Sequence, residues 1–299
     1  MRAHARCARR PRQAPGASGR SPGSRLASVW FPQMFAVDAL TAVVVVGGSV
    51  PDVELCTGVV PTYPRHPLAL AGQALTTQAA TGGRLTLGIG PSHQFVIENV
   101  YRLSYERPLR HMREYLAILR PLLQEGHAQV IGETLSTTTS LPVQVPGASP
   151  PPVLLGALGP GMLALAGREA DGTLTWMTGP RTLASHVLPI ITRAAAEAGR
   201  PPPRVAVGLP VCVTDDPAAA RAACAGAMGL SGVLHAYQAM LDREGVDGPG
   251  DIAIVGDEDE VTAALASLAD LGATDVVAAT FGSEDEVART LATLGRAST

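Results

Sequence analysis

With 299 residues, 46% of them hydrophobic and 16% charged, the chain is long enough for one large α/β barrel or two smaller domains. Its 4% aromatic content suits tightly packed parallel strands and Ala-rich helices better than an aromatic-cored β-sandwich. The formal charge of −3 is uneven: all 23 basic residues are Arg and seven precede the first acid, Asp38, so 16 Arg stand against 26 acids in an acidic body that excludes non-specific nucleic-acid binding.

Residues 1–25 are Arg, Pro, Ala, Gly and Ser with almost no large apolar side chain, and are expected to form a disordered tail. From Leu26 short β-branched runs alternate with Ala/Leu-rich helical stretches, the order of βαβ units. Strands are expected at Ser28 to Phe31, Val53 to Val60, Leu85 to Gly90, Val153 to Leu158, Gly172 to Met177, Val205 to Val213 and Asp275 to Thr280. Between them helices are expected at Ala36 to Val46, Pro67 to Thr81, Arg107 to Gln124, Pro160 to Glu169, Pro180 to Ala198, Pro217 to Gly229, Leu234 to Glu244 and Glu258 to Leu271. Pro near the first turn and Gly after the last mark several of these helices. The Thr-, Ser- and Pro-rich stretch Gly132 to Pro152 reads as an excursion holding a small hairpin. This is one strand short of an eight-stranded parallel barrel, and the absent strand belongs before Leu26, where the tail stands.

Cys7, Cys56, Cys212 and Cys224 lack CxxC spacing and neighbouring His, so neither a disulfide scaffold nor a metal is expected. The apolar run Ala39 to Val46 is too short to span a bilayer, and a cytoplasmic protein without membrane partners is expected. In parallel α/β folds, chemistry gathers at the carboxyl ends of strands. Gly88-Ile89-Gly90 ends one strand with glycines that let a flat ligand approach the backbone, and Ser92 and His93 follow. His93 there is either a proton donor or acceptor near neutral pH or a loop His hydrogen-bonded for structure. Gly156-Ala157-Leu158-Gly159 opens straight into a helix, so its backbone N–H groups either face an anion such as a phosphate or simply make a tight turn. His66 and His111 are expected to face solvent or cap neighbours, and His186 and His235 carry no chemistry. Glycosidase, zinc-protease, serine-hydrolase and NTPase motifs are missing.

Four segments together carry a resemblance: Ser28-Val29-Trp30-Phe31-Pro32-Gln33, Val59-Val60-Pro61-Thr62-Tyr63-Pro64-Arg65-His66-Pro67, Leu87 to His93, and Trp176-Met177-Thr178-Gly179-Pro180. From about Leu26 to Phe281 the chain resembles the luciferase-like monooxygenase superfamily, and within it the F420-dependent oxidoreductases. The resemblance implies a TIM-like (β/α)8 barrel of the bacterial luciferase type, lacking or replacing its first strand, as a single domain over 26–299 and a homodimer. It further implies a non-prolyl cis peptide at Gly58-Val59 against the cofactor ring, ring contacts from Gly90, Ser92 and His93, and the cofactor phosphate at Gly156, Ala157, Leu158 and Gly159. Several relatives place an acid or His just after strand two; Gln33 and Met34 stand there in this chain.

The function expected on these grounds is hydride transfer between coenzyme F420 and a small organic substrate, with His93 as proton donor or acceptor and Gln33 as an orienting partner. An FMN-dependent monooxygenase and a non-catalytic barrel remnant acting as a binding module are the alternatives.

Overall fold

The computed structural model describes residues 4–7, 26–33, 35, 37–229 and 234–297. They fall into two compact units, one drawn from 1–30, 175–189 and 204–299, the other from 31–174 and 190–203.

In the second unit, strands Glu54–Thr57, Leu85–Gly90, Val153–Gly156 and the Gly172 end of Gly172–Trp176 lie side by side and parallel. Leu55 stands opposite Leu85, Leu87 opposite Val153 and Leu154 opposite Gly172. Every residue of Leu85–Gly90 is buried, the unbroken pattern of a parallel strand covered on both faces. The expected strand Val53 to Val60 is interrupted at Gly58 and resumes as Val60–Pro61, which pairs with Ile89 and Gly90.

Helices Ala39–Gly47, Pro67–Ala80, Pro108–Gln124 and Pro160–Glu169 accompany these strands. Asp38 caps the first, its Oδ1 accepting from the Thr41 N–H at 2.9 Å. His66 caps the second, its Nδ1 accepting from the Leu68 N–H at 3.2 Å, in keeping with the capping role expected for it. Arg84 donates to the carbonyls of Gly47, Val50, Val53 and Thr81, satisfying backbone acceptors around the end of Ala39–Gly47 that the helix itself leaves open. The hairpin Gln129–Ile131 and Ser136–Thr138 begins three residues before the expected excursion. Its turn is held by Glu114, whose carboxylate accepts from the N–H groups of Glu133, Thr134 and Leu135.

In the first unit, Ile254–Gly256, Arg204–Val213 and Asp275–Thr280 run parallel. Next to them lies His4–Cys7, antiparallel both to Asp275–Thr280 and to Ser28–Phe31, with Ala5 opposite Ala278 on one side and Val29 on the other. This strand corrects the expectation of a tail without structure. That expectation weighed side-chain burial alone, whereas two strand edges with unpaired N–H and C=O groups attract backbone of almost any composition. The first strand is therefore replaced, in the opposite direction; residues 1–3 and 8–25 lie outside the described residues. Ile254–Gly256 was also missed, because three residues are too short to show a period.

The helices of this unit include Pro180–Thr182, which runs on through a π-helical turn Leu183–Val187, then Pro217–Ala227, His235–Glu244, Glu258–Leu271 and Glu284–Ala297. The last was not foreseen. Asp257 and Glu260 form a reciprocal capping box at the start of Glu258–Leu271. Arg204 and Asp275 make a two-pronged ion pair, Nε to Oδ2 at 2.9 Å and Nη2 to Oδ1 at 3.0 Å. The Asp275 side chain is fully buried, and the guanidinium carbon lies 5.8 Å from the centroid of Trp30. Among the described residues no helix is long and apolar enough to cross a membrane.

Candidate active site

Gln33, Gly58, Val59, Gly90, Ser92, His93 and Gly156 to Gly159 all fall in the second unit. The Gly58–Val59 peptide bond is cis, at the place the resemblance implied. Gly58 donates its N–H to the Phe31 carbonyl at 2.9 Å, which brings the chain segment leading to Gln33 beside the cis bond. One residue earlier, the Thr57 hydroxyl donates to the Gly88 carbonyl at 2.8 Å and accepts from the Gly88 N–H at 2.9 Å. A side chain thus replaces the ladder where the strand is interrupted.

The glycines here have a more specific role than general access for a flat ligand. A Cβ on Gly88 would sit 2.0 Å from the Thr57 carbonyl oxygen. A Cβ on Gly90 would sit 2.9 Å from Val59 Cγ2, and one on Gly156 would sit 3.4 Å from Val59 Cγ1. The space is therefore taken by the interrupted strand, and the Val59 side chain forms a half-buried shelf over two neighbouring strands. The expectation of open backbone at Gly90 changes accordingly: Val59 fills the space beside it.

Beyond Gly90 the chain turns sharply. Ser92 has φ +62°, a left-handed conformation costly for a residue with a Cβ, and the Tyr105 hydroxyl donates to its carbonyl at 3.1 Å. His93 is half-buried, and burial lowers its pKa below the usual imidazole value, favouring the neutral ring. A π-helical turn Val96–Val100 follows, with Phe95 and Val100 exposed. The loop holds two more left-handed residues, Arg102 and Arg107.

Gly159 caps Pro160–Glu169 without any side-chain hydrogen bond, and a Cβ there would meet no atom within 4 Å. The helix beginning at Pro180 differs: its first N–H groups, on Arg181 and Thr182, are already taken by the Glu244 carboxylate. Gly156 and Leu158 are half-buried and Ala157 is buried, so Gly159 with its helix start is the exposed part of this segment.

Gln33 Oε1 accepts from the Ala39 N–H at 2.9 Å, so one end of its amide is committed to the following helix. Its neighbour Met34 lies outside the described residues. The acid nearest in sequence is Asp38, which is paired with Arg65 at 2.8 Å as well as capping its helix. Its pKa lies below the ordinary carboxylate value: desolvation opposes this, but hydrogen bonds from Thr41 and Arg65 outweigh it.

The expectation for His111 is overturned. His111 is 5% exposed, with Nε2 3.0 Å from Thr62 Oγ1, and its ring stacks on Tyr63. Nearby Arg residues had pointed to solvent, but the helix turns them to another face. His186 is likewise buried. Thr57, Tyr63 and Tyr105 were not singled out from sequence; their roles depend on the strand interruption, which composition does not register. A groove lined by Ala117, Pro121, His127, Gln129 and Thr138 shares no residue with this site. Among the described residues no cluster of His, Cys, Asp and Glu is placed to hold a metal.

Several known proteins are similar to this chain. A Mycobacterium tuberculosis protein named as a coenzyme F420-dependent oxidoreductase is 30% identical over 240 residues, 75% of this chain and 67% of its own length. An F420-dependent secondary alcohol dehydrogenase, solved with an F420-acetone adduct, superimposes with a TM-score of 0.77 at 17% identity, covering 92% of this chain and 91% of that one. A type II Baeyer-Villiger monooxygenase component from Pseudomonas putida, solved with FMN, gives 0.70 at 16% identity over 89% and 86% of the two chains. These likenesses fix the fold as the TIM-like barrel of luciferase-type proteins, with its first strand replaced. The sequence profile of the luciferase-like monooxygenase family matches residues 26–298, and the chain belongs to that family.

Proposed function

We propose that the protein is an F420-dependent oxidoreductase that transfers a hydride between the deazaflavin and a small organic substrate. The reading is carried by one observation: the Val59 side chain, seated against Gly90 and Gly156, forms an apolar shelf in the same unit as His93 and the exposed helix start at Gly159. A shelf of this kind suits a flat, partly apolar ring, and the N–H groups of an exposed helix start suit a phosphate. F420, when bound, supplies the hydride chemistry.

The chain's own groups do the rest. Gly58 and Val59 support the ring face, Gly90 and Ser92 shape the wall, and Gly156 to Gly159 hold the phosphate. His93, kept neutral by desolvation, accepts or returns the substrate proton at an imidazole nitrogen. Gln33, with its oxygen fixed by Ala39, presents its amide N–H₂ to orient the substrate.

Titrating the purified protein with F420 and FMN in parallel tests this directly. Saturable F420 binding with little FMN binding is expected; tight FMN binding without F420 binding overturns the reading in favour of the FMN monooxygenase. His93→Gln is expected to lower kcat by roughly 100-fold, the scale of a general acid–base group, with F420 affinity changed little. Because the imidazole pKa lies below its usual value, the acid limb of the wild-type activity profile should fall below pH 6.5. The variant should lose that limb.

A further inference from the structure

A group of rings outside the residues assigned above joins the two segments that flank the proposed cofactor. Tyr63 follows the short strand Val60–Pro61 and stacks on His111, with ring centroids 3.9 Å apart and planes 8° from parallel. Tyr63 also packs against Tyr105, at 5.1 Å and 30°. Tyr105 lies in the loop after Leu85–Gly90, and its hydroxyl holds the carbonyl of left-handed Ser92. From the other side, His111 Nε2 meets Thr62 Oγ1 at 3.0 Å, and the Thr62 N–H donates to the Gly90 carbonyl at 3.0 Å. The connection therefore runs from the segment after the cis bond, through Thr62 and Tyr63 to His111, and through Tyr105 to the Ser92 turn.

We propose that His111 is a positioning residue: with Tyr63 and Tyr105 it locks the Gly58–Val59 shelf and the Ser92–His93 turn into a single arrangement. The proposal rests on the assignment of both segments to the cofactor. Neither segment holds its shape by regular pairing alone. The strand is interrupted at Gly58, and Ser92 occupies a backbone region that L-residues avoid unless neighbours hold them there. Stacked rings meet this need because they bury large flat surfaces against each other and need no hydrogen-bond ladder. A neutral imidazole suits a near-parallel stack with a phenol. Burial brings the His111 pKa down to about 4, against the opposing pull of Glu114 on the same helix, so the ring is uncharged near neutral pH. The other groups facing it are Thr62, Tyr63 and Tyr115, the last tilted at 5.7 Å and anchored by its hydroxyl to the Arg65 carbonyl.

The test is hydrogen exchange on the full chain without cofactor, followed by F420 titration, for His111→Gln and Tyr105→Phe, with Tyr115→Phe as control. Both variants are expected to speed exchange about tenfold in 58–63 and in 91–95 together, and to weaken F420 binding about tenfold. The control should leave 91–95 at the wild-type rate. Faster exchange confined to the segment beside the altered residue would overturn the coupling. If His111→Gln does not fold, Tyr105→Phe decides alone, since it keeps the ring and removes one hydroxyl. Coupled exchange in a chain that binds neither F420 nor FMN would support the lock and sink the cofactor assignment instead.

Discussion

Gly88→Ala is expected to destabilise the protein by about 3 kcal/mol or more, at the upper end of what overpacking costs. The added methyl would stand 2.0 Å from the Thr57 carbonyl oxygen and 3.2 Å from its carbon, and both are backbone atoms with no rotamer to escape into. Moving them breaks the paired hydrogen bonds between Thr57 and Gly88, so the loss includes buried polar groups left without partners. Gly90→Ala meets a softer obstacle, the Val59 Cγ2 methyl at 2.9 Å, and should cost about 1 kcal/mol while tilting the shelf. Gly156→Ala, at 3.4 Å, should be close to neutral for stability. Urea unfolding of the three variants checks the order, and a Gly88→Ala protein as stable as Gly156→Ala would show that the strand interruption is packed differently.

Arg204→Met is expected to cost about 3–5 kcal/mol, because it leaves the Asp275 carboxylate buried with its bidentate partner gone. Thr274, whose hydroxyl lies 2.5 Å from Asp275 Oδ2, supplies one hydrogen bond but no charge. Replacing both partners, Arg204→Met with Asp275→Leu, should recover most of the loss, since an apolar pair of similar volume avoids the desolvation of two ions. The comparison is made by chemical denaturation followed through Trp fluorescence, where Trp30 beneath the guanidinium is a local reporter. A double variant as unstable as the single one would show that Asp275 contributes mainly through its bonds to neighbours other than Arg204.

Much of the framework was legible because it rests on local pattern. Leu85–Gly90 and Asp275–Thr280 occur within the expected bounds, as do Pro160–Glu169 and Glu258–Leu271. Apolar runs ending in Gly, and Pro at first turns, set these limits without help from tertiary structure. Ile254–Gly256 was too brief to read, and His4–Cys7 forms by pairing with edges distant in sequence. For the site, family resemblance gave the cis bond and the candidate residues, while composition could not anticipate Val59 as the occupant of the space at Gly90. Nor could it reveal that His111 lies under Tyr63. That depends on which face of Pro108–Gln124 the strand interruption meets, a fact of three-dimensional packing.

The strand His4–Cys7 has a consequence for biosynthesis. Ala5 pairs with Ala278, so almost all of the described chain is made between the two strands that meet there. The unit built mainly from 31–174 has its strands in sequence order and can assemble while the chain is still growing. The other unit cannot complete its sheet until Asp275–Thr280 has been made, since that strand supplies one edge for His4–Cys7. Until then the strand His4–Cys7 has only one of its two partners to pair with.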